Sequence, residues 1–358
     1  MRLNASCLAV AVALMSAHVA LAGGPPFKFV LHHEDSSITF GFLAQPQFES
    51  LDQAVGTGKA NSLYLRRLRF IAGGKINPKL SFFVESDSAN LGKIGPDGRR
   101  TADFYLQDAF LTYKFRPEIQ IDAGMLLVAA SHNSGQSAAT LLPIDYGAYS
   151  FLASDPTHSK YGRDYGVQAR GYISNHLEYR LGAYRGNQDV DSQFPFRYSG
   201  RLVWYPLETD TGFFYTGTTL GKKKIIAIGT SFDRQGDYSS NAIDLFIDHP
   251  IRSRDALTFQ ADYMRYDGRT TFLTLPKQDT WLLEASYYFG QVRLGPFMQF
   301  ASRDFANPRT ADDSRLQGGI LYWIMGHRLN IKAGIGRLHK DPASDRLQFV
   351  LQTQFFYY

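Results

Sequence analysis

The sequence predicts an all-β chain: a transmembrane antiparallel β-barrel of about sixteen strands, with short turns at one end and long loops at the other. Three observations predict it. Apolar and polar residues alternate with a period of two over most of the chain, most cleanly in Leu257-Thr258-Phe259-Gln260-Ala261-Asp262-Tyr263 and Leu329-Asn330-Ile331-Lys332-Ala333. Connectors alternate between short and long. Beyond the N-terminus no run approaches the ~18 continuous apolar residues that a spanning helix requires.

The N-terminus reads as an export signal. Met1-Arg2 is a basic start, Cys7 to Met15 an apolar run too short to span a bilayer, and Ala20-Leu21-Ala22 a small-residue cleavage site. The expected organisation is therefore a signal peptide over 1–22 and a single barrel domain over 23–358. Cleavage after Ala22 removes Cys7, the only cysteine, so the mature chain has no disulfide and no thiolate. His32-His33-Glu34-Asp35 offers metal-ligand residue types, but no second cluster stands at a defined spacing, and no metal or other cofactor is expected.

The first strong strand signal is LYLRRLRFIAGGKI, residues 63–76. The adjacent Gly73 and Gly74 disfavour a helix. In a strand, Arg67 and Arg69 share one face, and Leu68, Phe70 and Ala72 the other. The same alternation returns around Ile119–Ala123, Val167–Arg170, Leu181–Ala183, Ile243–Leu245 and Leu347–Phe355. Short connectors are expected at Asn77-Pro78-Lys79, Arg116-Pro117, Ser174-Asn175-His176, Gly290-Gln291 and Met325-Gly326-His327. Longer ones are expected around 49–61, 88–102, 127–162, 186–195, 267–279, 303–314 and 338–345. The connector 206–224 breaks the pattern. It falls where a short turn belongs, and either packs under the barrel or holds an extra strand pair. The chain ends in FFYY, and the outward parity of Leu347 to Phe355 leads to Tyr357, so ending on Tyr358 as the lipid-facing aromatic requires a one-residue shift.

Lipid outside and water inside account for both faces. The outward set is apolar and aromatic: Trp204, Phe259, Tyr263, Trp281, Tyr287 and Phe289. The opposite set carries Gln168, Arg170, Asp244, Gln260, Asp262, Glu284, Asn330, Lys332, Gln348 and Gln352, too many polar groups to bury dry. A closed barrel also leaves no unpaired backbone in lipid. An even strand count puts both chain ends on the periplasmic side of a Gram-negative outer membrane.

Four stretches resemble the phosphate-selective porin O and P family: LYLRRLRFIAGGKINPKLSFFVESD, the most specific, then QDAFLTYKFRPEIQIDAGM, GRDYGVQARGY and GFFYTGTTLGKKK. The resemblance runs from about Ile38 to the last strand. It implies a sixteen-stranded outer-membrane porin, a homotrimer with loops folded into the pore, and phosphate specificity in some members.

A passive pore needs an aqueous path, a constriction and placed charge, and no catalytic group. By parity the inward basic residues are Arg67, Arg69, Lys75, Arg170, Arg180, Arg201, Arg293 and Lys332. Rings of such groups suit anions, and the guanidinium fork suits phosphate oxygens. Inward acids are almost as many: Glu85, Asp87, Asp108, Asp122, Glu178, Asp244, Asp262 and Glu284. They leave open a transverse field in place of an anion ladder. Segment 127–162 is the expected constriction loop; its apolar part, Leu141 to Phe151, suits the inner wall, and Lys160 and Arg163 lie near its return. A net charge of +5 fits small anions such as phosphate better than nucleic acid. The expected function is passive diffusion of small hydrophilic solutes, with anion preference. The alternatives are a barrel enzyme hydrolysing lipids or esters, for which no triad can be assembled from spacing, and a non-conducting adhesin or scaffold barrel.

Overall fold

The computed structural model describes residues 27–30, 35–53, 58–95, 97–188, 191, 193–252, 254–340 and 342–358. The expected signal segment, and His32, His33 and Glu34, lie outside the described residues.

Sixteen antiparallel strands close into a barrel, each paired to its sequence neighbour. They are β2 (Ser37–Asp52), β3 (Lys59–Lys75), β4 (Leu80–Asp87), β5 (Tyr105–Arg116), β6 (Ile119–Leu127), β7 (Arg163–Ile173), β8 (Leu177–Tyr184) and β9 (Arg197–Trp204), then β10 (Ile225–Gln235), β11 (Tyr238–Pro250), β12 (Ala256–Asp267), β13 (Gln278–Tyr288), β14 (Leu294–Phe305), β15 (Asp313–Trp323), β16 (Leu329–Lys340) and β17 (Ala343–Tyr357). The last strand closes on the first, from Gln348 opposite Leu51 to Tyr357 opposite Phe42. Closure pairs every edge, which is what a sheet in hydrocarbon requires. A short strand β1 (Phe27–Val30), with no counterpart in the sequence reading, pairs with β2 at Ser37–Phe40 and so continues the row where β17 stops. The Phe27 ring lies 5.8 Å from Tyr357.

The alternation sorts as expected. Leu63, Phe70, Val167, Leu181, Ile243 and Ile335 stand exposed on the outside, while Gln45, Arg67, Asp122, Gln168, Gln260 and Gln352 are buried inside. Aromatic pairs belt the outer wall, Tyr263 with Trp281 at 4.5 Å and Tyr287 with Phe289 at 4.7 Å.

The five connectors expected to be short sit at the end that carries the C-terminus, here the turn end; the segments joining β2 to β3, β4 to β5, β6 to β7 and β8 to β9 sit at the other, the loop end. Two expectations are corrected, one about a connector and one about the terminus. Around 338–345 there is no long loop, because Lys340 pairs with Ala343. Gln235 pairs with Tyr238 in a tight hairpin, with Gly236 in the left-handed region at φ 55°, where no long segment separates β10 from β11. Polar composition misleads at such places because these strands run on into water past the lipid. The second concerns the terminus. The β17–β2 register is constant from Gln348 to Tyr357, with no one-residue shift. Phe356 turns inward onto the cluster around Leu43, Tyr357 faces out beside Phe27, and Tyr358 lies beyond the strand with its ring 6.1 Å from Phe83.

One shift does occur, at the start of the barrel. Between Ala44 and Pro46 of β2 the β3 partner sequence gains a residue, so Leu65 and Leu68 flank a bulge. Pro46 has no N–H to give the ladder, which is why the bulge falls here. It sets Arg66 and Arg67 side by side near the inner wall.

A candidate pore, doubly filled and charge-compensated

The inner wall has two sectors. In β7, β8 and β9 the register places Arg170 opposite Arg180 and Arg180 opposite Arg201, three guanidiniums in one row. Like charges at directly opposed positions repel. Each is compensated by a carboxylate: Arg170 by Asp122 at 2.7 Å, Arg180 by Glu178 at 2.6 Å, and Arg201 by both oxygens of Asp244 at 2.6 and 2.8 Å. The pattern extends along the arc. Arg69 donates to Glu85 (2.8 Å) and Asp87 (3.0 Å), and Arg163 grips Asp108 through two nitrogens at 3.2 and 3.0 Å. Arg197 binds Asp233 and Asp164. Truncating one partner of such a buried pair strands the other charge and costs about 3–5 kcal/mol. The opposite sector is amide-lined: Gln45 meets Gln354 at 2.8 Å, Gln352 meets Gln47 at 2.8 Å, and Gln299 meets Glu284 at 2.7 Å.

Residues 128–162, between β6 and β7, turn into the barrel. Their α-helical turn, α1 (His132–Gly135), is capped by Ser131, whose side chain accepts from the Ser134 N–H while the Ser134 hydroxyl accepts from the Ser131 N–H. Around it Asn133 donates to Glu284 (3.3 Å) and Gln136 to Gln260 (2.7 Å). Leu142 and Ile144 pack on Phe297, Leu321, Trp323 and Val350 of the wall. Lys332 holds the Leu141 and Pro143 carbonyls at 2.9 and 2.7 Å. Arg66 and Arg67 clamp Asp145 at 2.6 and 2.5 Å, and Gln299 donates to its carbonyl. Burial pushes the Asp145 carboxyl up, but the two guanidiniums outweigh it and hold it below the ordinary carboxylate range.

The connector between β9 and β10, residues 205–224, enters from the turn end. Neither expectation for it holds as stated: it packs inside the barrel, not under it, and forms a single bridge, Tyr215 to Gln136 of the interior loop. Ser137 N–H donates to the Tyr215 carbonyl (2.9 Å) and Tyr215 N–H to the Gly135 carbonyl (2.8 Å). The approach is close: a Cβ on Gly217 would stand 2.2 Å from the Thr140 carbonyl, and one on Gly135 2.5 Å from the Tyr215 ring. Its aromatics cover the arginine row. Phe213 stacks on Phe110 at 4.3 Å, with Arg170 5.3 Å and Arg180 5.7 Å from its ring; Tyr215 lies 4.5 Å from Arg180 and 5.3 Å from Arg201. Arg180 also donates to the Phe213 and Gly212 carbonyls. His132 is sandwiched between Tyr215 (4.9 Å) and Phe246 (3.9 Å), and burial pushes its imidazole down to about 3.

Of the basic residues picked out by parity, Arg67, Arg69, Arg170, Arg180, Arg201 and Lys332 lie buried on the inner wall, and Arg163 joins them from the start of β7. Two of the parity set, and Lys160 from the loop's return, lie elsewhere. Lys75 is exposed at the turn-end tip of β3. Arg293 is exposed in the turn before β14 and donates to the Ile324 carbonyl. Lys160 is exposed at the loop end, 5.9 Å from the Tyr105 ring. Parity carried past a strand's last wall position says nothing of the lumen. Sequence reasoning missed Arg197, although it stands four residues before Arg201 and so shares its face. It also missed the Arg66–Asp145 contact, which depends on the bulge and on a partner 79 residues away. Among the described residues no group of three or more His, Cys, Asp or Glu could hold a metal.

Solved structures share this architecture. An anion-selective porin from Comamonas acidovorans aligns over 90% of this chain and 100% of its own, with TM-score 0.65 and 10% identity. Salmonella typhi OmpF, in complex with daunomycin, aligns over 90% and 98%, with TM-score 0.61 and 14% identity. The trimer form of OmpT, an outer membrane protein of Vibrio cholerae, aligns over 90% and 100%, with TM-score 0.57 and 10% identity. At these identities the likeness is one of fold. No curated protein sequence matches the chain. The family model "Phosphate-selective porin O and P" matches residues 39–324, most of the barrel. The chain belongs to the phosphate-selective porin O and P family and is an outer-membrane β-barrel of a Gram-negative cell.

Proposed function

We infer that the protein is a passive channel for small hydrophilic solutes, small anions such as phosphate among them, constricted by the loop 127–162. The observation that carries the reading is the polar inner wall of a closed barrel, whose arginine row supplies charge and hydrogen-bond donors where a solute sheds water. Because every arginine of the row has a carboxylate partner, the anion preference is weak, and because Phe213 and Tyr215 cover the row, it strengthens when segment 205–224 withdraws. The lipid-facing wall, the expected signal peptide and the likeness to a trimeric outer membrane protein support an exported homotrimer.

Planar-bilayer recording tests this. The purified protein is expected to give stepwise conductance, a reversal potential of anion sign in a potassium chloride gradient, and partial block of chloride current by phosphate. A cation-sign potential rejects the anion part. A barrel that inserts without any current favours the non-conducting scaffold, a reading supported by the two segments that fill the lumen. Native mass measurement tests the trimer, and N-terminal sequencing of the mature protein tests cleavage after Ala22.

A further inference from the structure

At the loop end a cleft of about 510 Å³ opens between the β4–β5 loop and the return of the interior loop. That volume suits a small-molecule ligand. We propose that this cleft binds a small neutral polyhydroxylated solute, a monosaccharide-sized sugar, ahead of the constriction. The inference deepens the channel reading by naming a substrate class.

Three aromatic rings line the cleft, Tyr105, Phe151 and Tyr161. Phe151 and Tyr161 are set edge to face at 5.7 Å, which presents perpendicular apolar walls to the C–H face of a pyranose. Among them stand acceptors for hydroxyl groups, the exposed carboxylates of Asp103 and Asp155. The frame is held by the backbone. Ser88 donates to the Asp103 carbonyl at 2.6 Å, and Gly162 N–H donates to Ser154 Oγ at 2.7 Å.

The charges select against the other classes. Two carboxylates against the single Lys160 leave the cleft formally negative, which opposes phosphate. The Lys160 ammonium already stands 5.9 Å from the Tyr105 ring, in the place where an organic cation would seek a π face. A neutral polyol meets neither obstacle. The Tyr161 hydroxyl accepts from Arg66 at 3.2 Å, so a bound solute sits one residue from the clamp that holds Asp145.

Isothermal titration calorimetry on the full-length protein in detergent tests this, with glucose, inorganic phosphate and choline as probes. Glucose is expected to saturate with one site in the millimolar range, and neither phosphate nor choline displaces it. Asp103→Asn and Asp155→Asn are each expected to weaken glucose about five-fold, the worth of one hydrogen bond. Both are isosteric, and heat-modifiable gel migration checks that the barrel is folded. No saturable glucose heat, displacement of glucose by either ion, or an unchanged Kd in both variants overturns the proposal. Binding is read without conduction. Glucose binding with no bilayer current upholds the cleft while removing the channel; current with no glucose binding overturns the cleft alone.

Discussion

Asp145→Asn should loosen the constriction loop and make the channel larger and noisier. Asp145 is the one acidic anchor between the loop's apolar stretch and the wall, and it faces two guanidiniums at 2.5 and 2.6 Å. Arg67 is fully buried, Arg66 is 11% exposed, and Asp145 is 24% exposed. Removing one partner of a fully buried pair costs about 3–5 kcal/mol. Asparagine keeps one acceptor and the carboxylate is partly solvated, so about 2–3 kcal/mol is the reasonable figure here. At 1.4 kcal/mol per decade that shifts the docked-to-undocked ratio by roughly 30- to 150-fold. The Lys332 and Gln299 contacts to the same stretch remain, so the loop becomes mobile without leaving the lumen. Single-channel recording reads the result as raised mean conductance and flicker. The pH arm has a definite sign. The folded Asp145 carboxyl is held below its ordinary range, so its contribution is complete at neutral pH and is lost only as pH falls through that depressed value. The clamp itself therefore adds no acid sensitivity above that value, and Asp145→Asn is noisy already at neutral pH. Indistinguishable traces at neutral pH would refute the clamp.

Three further outcomes follow from the same geometry. Tyr215→Ala uncovers Arg180 and Arg201 and should move the reversal potential further to the anion side and strengthen phosphate block; an unchanged potential means that the aromatic cover does not limit access. Acid should raise conductance progressively from about pH 6.5 down toward pH 3, because His132 has an ordinary value of 6.5 and is pushed down to about 3 by burial, so the undocked loop takes its proton first. Asp244, Arg201 and Arg180 face it, and His132→Phe, which keeps the stack but cannot titrate, should flatten that window. Leu181→Arg, on the lipid face of β8, should lower folding stability in urea by about 2–4 kcal/mol if it sits near the midplane, while Gln168→Glu on the inner face should not meet that lipid penalty.

The barrel was legible in the chain because its signal is local. A period of two is read from adjacent residues, and lipid on one side with polar groups on the other makes the contrast strong in Leu257–Tyr263 and Leu329–Ala333. The inward placing of Arg67, Arg69, Arg170, Arg180 and Arg201 followed from the same parity. It failed at Lys75 and Arg293, where the strand had ended and the rule no longer applied.

What parity cannot express is partnership across the sheet. Whether Arg170, Arg180 and Arg201 form an anion ladder or a compensated row depends on register. That is set by residues on neighbouring strands and, at Pro46, by a bulge that one missing N–H imposes. The filling of the lumen is more remote still. Tyr215 reaches Gly135 and Ser137, and Arg67 reaches Asp145, through contacts between segments about 80 residues apart in the chain. Alternation fixes which way a side chain points; only closure of the cylinder, by bringing distant segments into one narrow interior, decides what it meets there.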